Sequence, residues 1–169
     1  MLSVVIETKN DEEALARTLA SLVGGAVEGV VREVIVCDIG STDQTQRVAD
    51  HAGCHYVGQG GVAAGIRQAR SEWILLLEPG ARLVDGWTDE VSAHTGRHTI
   101  AARFSQAKAG QPPFLSRLFG RRRPLTEGLV ISKRQAVSLA AKASDAEALA
   151  KGVATKRLDA EIWVAPLKR

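Results

Sequence analysis

Residues 2–23 read LSVVIETKNDEEALARTLASLV, and this stretch decides the fold. Leu2–Glu7 is an apolar run of strand length, whereas Asp11–Val23 places its leucines at helical spacing on one face. Asn10 is a good helix N-cap, and Glu13 follows three residues later, as in a capping box. We therefore predict a strand that leads directly into a helix.

The same alternation continues along the first half of the chain. We predict strands over Glu33–Asp38, His55–Val57 and Trp73–Leu77, and helices around Val48–Ala52 and from about Val62 to Arg70. Alternating strands and helices form a mainly parallel sheet with helices on both faces. The prediction is therefore an α/β fold, a three-layer sandwich whose ligands bind at the carboxyl ends of the strands.

The second half of the chain is less regular. Strands are predicted over Thr99–Phe104, Gly128–Ser132 and Asp159–Val164, and two alanine-rich helices across Lys133–Gly152, whereas Ser105–Pro113 reads as a polar loop. The sequence contains no internal repeat and no linker-like segment. At 169 residues we expect a single domain over residues 1–169.

The composition is that of an ordinary soluble globular protein. With 45% hydrophobic and 24% charged residues, wholesale disorder and a fibrous character are excluded. The formal charge of +3 favours anionic ligands such as diphosphates. Cys37 and Cys54 form neither a CxxC pair nor a disulfide framework, which favours a reducing cytoplasm. No signal peptide and no membrane-spanning run is expected.

Five segments resemble family 2 glycosyltransferases. Residues 3–12, SVVIETKNDE, are similar to the family's opening strand, and residues 33–43, EVIVCDIGSTD, to its second strand and the aspartate-rich turn after it. Residues 65–78, GIRQARSEWILLLE, resemble the run that ends at the family's metal-binding Asp-x-Asp motif. Residues 116–120, SRLFG, and 127–134, EGLVISKR, resemble a short bacterial branch of the family.

This resemblance implies a single-domain GT-A (Rossmann-like) fold with a nucleotide-binding half over residues 1–85 and an acceptor-side half over residues 86–169. It also implies a cytoplasmic transferase. Such an enzyme transfers a sugar from a nucleoside-diphosphate sugar to a glycan, lipid or small-molecule acceptor, which the sequence does not identify.

The candidate nucleotide site lies at strand ends and in the elements next to them. Thr8 and Asn10 offer hydroxyl and amide groups beside a helix N-terminus, which favours anions. Asp38 is suited to hold nucleoside hydroxyl or amide groups, although it could instead satisfy backbone donors of the turn that follows. By resemblance, the nucleotide-binding residues are Thr8, Lys9, Asn10, Asp38, Gly40 and Arg67.

Glu78 stands where the family has its metal-binding pair of acids, but Pro79 and Gly80 follow it. Mg²⁺ can be held by one or two carboxylates together with substrate phosphates and waters, so Glu78 is the candidate ligand for Mg²⁺ or Mn²⁺. The alternative is a metal-free site, in which basic side chains compensate the diphosphate charge. The candidates for that role are Lys9, Arg67 and Arg82.

Asp145 is the candidate general base. The run Ser144-Asp145-Ala146-Glu147 can be laid on the acidic motif of the family's acceptor side, where a carboxylate takes the proton of the acceptor hydroxyl. The same four residues also form a capping box at a helix start, and this structural interpretation is favoured over the catalytic one.

A basic run could contact an anionic membrane or close over a diphosphate, although as a solvated loop it needs no partner. It consists of Arg117, Arg121, Arg122 and Arg123. A location peripheral to the inner membrane is therefore included in the expectation. No nucleic-acid partner is expected, because only 4% of residues are aromatic and no binding motif accompanies the charge.

The rival hypothesis is a catalytically inactive glycosyltransferase-like module that binds a nucleotide, lipid or partner protein. Three replacements of family residues motivate it: Ile39 for the second aspartate of the turn, Pro79-Gly80 for the second metal ligand, and Val62-Ala63-Ala64 for a polar helix start.

Overall fold

The computed structural model describes residues 1–107 and 123–166. Its strands are β1 (Leu2–Thr8), β2 (Val31–Asp38), β3 (His55–Val57), β4 (Trp73–Leu77), β5 (Arg82–Leu83), β6 (Ala101–Gln106), β7 (Leu129–Ser132) and β8 (Thr155–Trp163). Its helices are α1 (Glu12–Val27), α2 (Thr45–His51), α3 (Gly61–Gln68), α4 (Trp87–Arg97), α5 (Lys133–Ala140) and α6 (Ala146–Ala150). The strands form one eight-stranded sheet in the order β3-β2-β1-β4-β7-β6-β8-β5.

The half of the sheet that carries β3, β2, β1 and β4 is parallel throughout. Its strands are near-continuous apolar runs because helices cover both faces, as Val4 and Val5 show by being fully buried on opposite faces. Thr8 pairs in register with Asp38, and Leu77 pairs with Ile6. The carboxyl ends of β1, β2 and β4 therefore meet at one edge of the sheet, called the carboxyl edge below.

The other half of the sheet is mixed. β7 runs antiparallel to β4 and β6, β8 runs parallel to β6, and β5 runs antiparallel to β8. Four of the seven strand pairings in the described part of the chain are thus parallel, and the prediction of an α/β fold around a mainly parallel sheet is confirmed.

Two hydrophobic clusters lie on opposite faces of the sheet and make the three layers. On one face Leu15 and Leu22 of α1 pack with Trp87 of α4. On the other face Ile66 of α3 and Ala136 of α5 pack against the strands. None of the helices within the described ranges combines the length and the apolar character needed to cross a bilayer.

Helix α4 and the two-residue strand β5 were not predicted from the sequence. Gly86 precedes α4 with φ 87° and offers no side-chain cap, and polar residues separate the few large apolar positions of the helix. Strand β8 begins at Thr155, earlier than the predicted Asp159, because Lys156 and Arg157 are exposed and interrupt the apolar pattern.

Gly65 marks a close approach of α3 to the sheet. A Cβ built there would lie 2.3 Å from Cys37 Sγ and 3.3 Å from side-chain carbons of Ile35 and Val5. We expect Gly65→Ala to destabilise the chain by about 1–3 kcal/mol through overpacking. The control is Gly24→Ala in α1, where no atom lies within 4 Å. Urea unfolding should show a loss for Gly65→Ala alone, and equal stability of the two variants would contradict this packing.

Candidate functional site

The carboxyl edge brings together three of the residues singled out in the sequence. Thr8 ends β1, Asp38 ends β2 and Glu78 directly follows β4. Their residue exposures are 2%, 4% and 8%, which is unusual for polar side chains at a strand end. Each buried polar group therefore needs partners, and those partners decide what it can do.

Asp38 is held by four hydrogen bonds from its own chain. Its Oδ1 accepts from the backbone N–H of Gly40 at 3.1 Å, and from the backbone N–H and hydroxyl of Ser41 at 2.9 and 2.8 Å. Its Oδ2 accepts from the Tyr56 hydroxyl at 2.6 Å. Burial would raise the pKa of Asp38, but these hydrogen bonds hold it below its usual value. Asp38 is thus a fixed carboxylate that satisfies the turn, as the structural alternative anticipated.

Two residues explain how that turn is built. Gly40 has φ 101°, a backbone conformation that side chains disfavour. Tyr56 of β3 was missed in the sequence, although it is the single tyrosine of the chain and lies on the strand next to β2. Its hydrogen bond to Asp38 and its burial raise the pKa of Tyr56 to about 12, so it acts as a donor at neutral pH.

Asn10 connects the turn after β1 with the turn after β2. Its backbone N–H donates to Ser41 Oγ at 2.8 Å, and its Oδ1 accepts from the Thr42 N–H at 2.7 Å. The prediction that Asn10 caps α1 is wrong, since Asp11 is the residue before the helix. Asn10 has a left-handed φ of 54° instead of the extended backbone typical of a capping side chain, and its Oδ1 is engaged by Thr42.

Asp11 accepts hydrogen bonds from Lys9 and Thr8. The Asp11 Oδ2 accepts from the Lys9 backbone N–H at 3.0 Å and from the Thr8 hydroxyl at 3.2 Å. Lys9 is exposed at the carboxyl edge, between buried Thr8 and exposed Asn10. This order of side chains leaves a cation and an amide on the surface of the edge.

Glu7 is a second site residue that was not predicted from the sequence. Its Oε1 accepts from the Val62 N–H at 3.0 Å, and its Oε2 accepts from the Ala146 N–H at 2.9 Å. One carboxylate therefore satisfies the N-termini of both α3 and α6, where a negative charge is favourable. A charged residue inside an otherwise apolar strand was the available signal.

The hydrogen bond from the Ala146 N–H to Glu7 Oε2 brings Asp145 to the same edge. It is the N-cap of α6, and its Oδ1 accepts from the Ala148 N–H at 2.7 Å. Its Oδ2 accepts from the Ser144 hydroxyl at 3.0 Å. The helix start is thus capped by Asp145 itself rather than by Ser144, and Asp145 is half-buried.

Glu78 forms an ion pair with Arg123. The distance from Arg123 Nη1 to Glu78 Oε2 is 2.8 Å, and Arg123 Nη2 donates to the backbone carbonyl of Ala165 at 3.2 Å. Burial, reinforced by the charge of Glu147, raises the pKa of Glu78 to about 7, and the nearby Arg123 and Thr126 oppose only part of that rise. Glu78 Oε1 is buried without a hydrogen-bond partner among the described residues.

The side chains around Glu78 do not fit a divalent cation. Within residues 1–107 and 123–166, no three histidine, cysteine, aspartate or glutamate side chains lie together as a metal-binding group. The two remaining ranges, 108–122 and 167–169, contain none of these residue types. Although one or two carboxylates with phosphates and waters can hold Mg²⁺, the Glu78 carboxylate already faces the Arg123 guanidinium, whose positive charge opposes a second cation there.

The other two predicted cations, Arg67 and Arg82, lie in different places. Arg67 is exposed in the last turn of α3, and the neighbouring Gln68 reaches His55 at the start of β3, so Arg67 lies towards the amino ends of the strands. The guanidinium of Arg82 lies 5.8 Å from the ring centroid of Trp163. The structure therefore gives no support to Arg67 as a diphosphate ligand, whereas Arg82, exposed and close in sequence to Glu78, stays a prediction.

The basic run predicted to contact a membrane or a diphosphate is described only in part. Arg117, Arg121 and Arg122 lie outside the described residues. Arg123 is directed at Glu78 and Ala165, so the structure gives no support to lipid contact by this side chain.

Comparison with known proteins agrees with this geometry. Residues 3–79 match the model of the family described as "Glycosyl transferase family 2", a range that contains Thr8, Asp38 and Glu78. A TPR repeat-containing protein of Synechococcus elongatus is 33% identical over 135 residues. That match covers 73% of this chain and 32% of the relative, so the chain spans about a third of that protein.

Two solved structures share the fold. TarS 1–349 of S. aureus superimposes with a TM-score of 0.70 at 17% identity, over 97% of this chain and 60% of TarS 1–349. Glucosyl-3-phosphoglycerate synthase of Mycobacterium tuberculosis, in complex with Mn²⁺, UDP and glucosyl-3-phosphoglycerate, gives a TM-score of 0.60 at 16% identity, over 100% of this chain and 72% of that one. By its matched segment, residues 3–79, the chain is similar to glycosyl transferase family 2, and it shares the GT-A fold of these structures.

Proposed function

We propose that the chain binds a nucleoside-diphosphate sugar at the carboxyl edge and transfers the sugar to the hydroxyl of a glycan, lipid or small-molecule acceptor. The observation that carries this proposal is the convergence of Thr8, Asp38 and Glu78 at the ends of three parallel strands, inside the segment that matches the family. The edge of an open α/β sheet where strands end is where such folds bind ligands.

The nucleoside half of the ligand is assigned to the turn after β2. Asp38 Oδ1 already accepts three hydrogen bonds, whereas Oδ2 accepts only one, from Tyr56, among the described residues. Oδ2, with one bond only, keeps the capacity to accept another from a ribose hydroxyl or a base amide. Gly40, without a side chain, allows the ligand to approach the backbone.

The transfer step needs a base at the acceptor. The acceptor oxygen attacks the anomeric carbon, the bond from that carbon to the phosphate oxygen breaks, and its electron pair leaves with the nucleoside diphosphate. Asp145 takes the acceptor's proton, because its carboxylate keeps free lone pairs beside its two hydrogen bonds. Relatives in this fold have been solved with Mn²⁺ or Mg²⁺ and UDP, but our scheme assigns no step to a metal ion.

Nucleotide titration tests the binding half of this proposal. Calorimetry with UDP, other nucleotides and nucleotide sugars should detect at least one ligand. For that ligand we expect Asp38→Asn to weaken binding about tenfold, equivalent to the loss of about one charged hydrogen bond. Asp50→Asn on exposed α2 is the control, and it should leave binding unchanged. If no nucleotide binds at millimolar concentration, the proposal is wrong.

A second candidate function is an inactive module that binds the nucleotide without transferring the sugar. It is favoured by the ion pair of Glu78 with Arg123, which leaves that carboxylate engaged within the chain. Turnover separates the two functions. Release of nucleoside diphosphate from a bound nucleotide sugar, with a range of acceptors or with water, indicates an enzyme, whereas binding without release indicates the module.

A further inference from the structure

Arg123 lies where a cation is needed at the carboxyl edge. Its guanidinium contacts the buried Glu78 at 2.8 Å and is anchored on its other side by the Ala165 carbonyl. About a third of its side chain, 31%, remains exposed, whereas Glu78 keeps only 10%. The ion pair therefore has one buried acidic partner and one basic partner that is open to a ligand.

Hydrogen bonds from neighbouring elements hold the chain segment that follows Arg123. The Leu125 N–H donates to Glu147 Oε2 at 3.1 Å, and the Arg103 guanidinium donates to the carbonyls of Pro124 and Ala150. A guanidinium held on such a segment loses little freedom when it binds, and its planar donor fork matches the oxygens of a phosphate. Arg123 is thus preorganised for a phosphate ligand.

The local charges show how this ligand could be accommodated. Glu78 and Glu147 carry negative charges when ionised, whereas Arg123 and Arg103 each carry a positive charge, so the four side chains offset one another. Arg123 is the exposed member of its ion pair, so its positive charge can face a diphosphate while Glu78 remains buried.

We propose that Arg123 supplies the positive charge that a diphosphate requires at this edge, so that the chain binds nucleoside diphosphates without a divalent metal ion. The inference rests on the proposed function for the identity of the ligand. It assigns to Arg123 the charge compensation that the sequence had left open between a metal at Glu78, the cations Lys9, Arg67 and Arg82, and the basic run that contains Arg123.

The experiment uses inorganic pyrophosphate and UDP as probes, each titrated by calorimetry in EDTA and again in excess Mn²⁺. In EDTA, pyrophosphate should bind the unmodified chain, and Arg123→Gln should weaken that binding about tenfold. Glu78→Gln should leave pyrophosphate binding unchanged or strengthen it, since the neutral amide does not compete with pyrophosphate for the charge of Arg123. Arg67→Gln, which removes one exposed positive charge towards the opposite edge, is the matched control and should change binding by less than about twofold.

Three results would overturn the inference: absence of pyrophosphate binding under every condition, binding that appears only with Mn²⁺ and is lost in Glu78→Gln, and equal weakening by Arg67→Gln and Arg123→Gln.

If Arg123→Gln unfolds in a thermal scan, Arg123→Lys and Arg123→Met replace it. Lysine keeps the charge without the donor fork, whereas methionine is neutral. Stronger pyrophosphate binding by Arg123→Lys than by Arg123→Met supports the inference, and equal binding by the two variants contradicts it. Pyrophosphate binding through Arg123 while every nucleotide fails would refute the proposed function alone.

Discussion

Asp145→Asn should lower the rate of sugar transfer about 100-fold or more while leaving nucleotide binding and stability nearly unchanged. The carboxylate that takes the acceptor's proton is lost, whereas the side chain keeps an oxygen that accepts from the Ala148 N–H. Asparagine is as good an N-cap as aspartate, so α6 should still begin at Ala146. A change in turnover without a change in melting temperature is therefore the signature of a base.

The matched control is Ser144→Ala, which removes the hydroxyl that donates to Asp145 Oδ2 but leaves the carboxylate in place. We expect it to reduce turnover far less than Asp145→Asn. The measurement is the initial rate of nucleoside diphosphate release at saturating donor, alongside a thermal scan of each variant. Full activity in Asp145→Asn would show that Asp145 is a helix cap and nothing more.

Glu78→Gln should make the chain more stable at pH 8 and leave its stability unchanged at pH 4. The pKa of Glu78 is raised from 4.5 to about 7 in the folded chain, so the folded state favours the protonated form. The stability associated with this proton is present below about pH 4.5 and is lost as the pH rises through 7. Above pH 7 the stability lost in this way amounts to roughly 3 kcal/mol. Glutamine does not lose it, because its side chain stays neutral.

Urea unfolding of the two proteins between pH 4 and pH 8 measures this difference directly. Other carboxylates change the stability of both proteins equally, and for this reason the difference between them isolates Glu78. A Glu78→Gln chain that is less stable than the unmodified chain at pH 8 would mean that the ion pair with Arg123 outweighs the cost of burying the charge.

Much of the fold could be predicted because β1, β2 and β4 are buried on both faces and so appear in the sequence as uninterrupted apolar runs. The same parallel arrangement allowed the prediction that Thr8, Asp38 and Glu78 meet, since residues that end parallel strands lie at one edge. Helix α4 could not be predicted in this way, because Gly86 gives it no capping side chain.

The candidate site was less predictable, since several of its interactions join distant parts of the chain. Arg67 was misplaced because α3 runs from the carboxyl edge back towards the amino ends of the strands, so only its first residues lie near the site. Spacing along the sequence could not reveal that Arg123 reaches Glu78, or that Glu7 holds the helix of Asp145. These contacts depend on how the second half of the chain folds over the first.

Backbone amide shifts on titration with UDP test most directly whether the carboxyl edge binds a nucleotide. In a ¹⁵N-labelled chain, the amides of Asn10, Gly40 and Ser41 should move in a saturable way, because they surround Asp38 and the turn after β1. The amide of Ser71, just before β4 at the opposite edge, should stay in place. Shifts confined to the Ser71 side of the sheet, or no saturable shift at the carboxyl edge, would contradict the account.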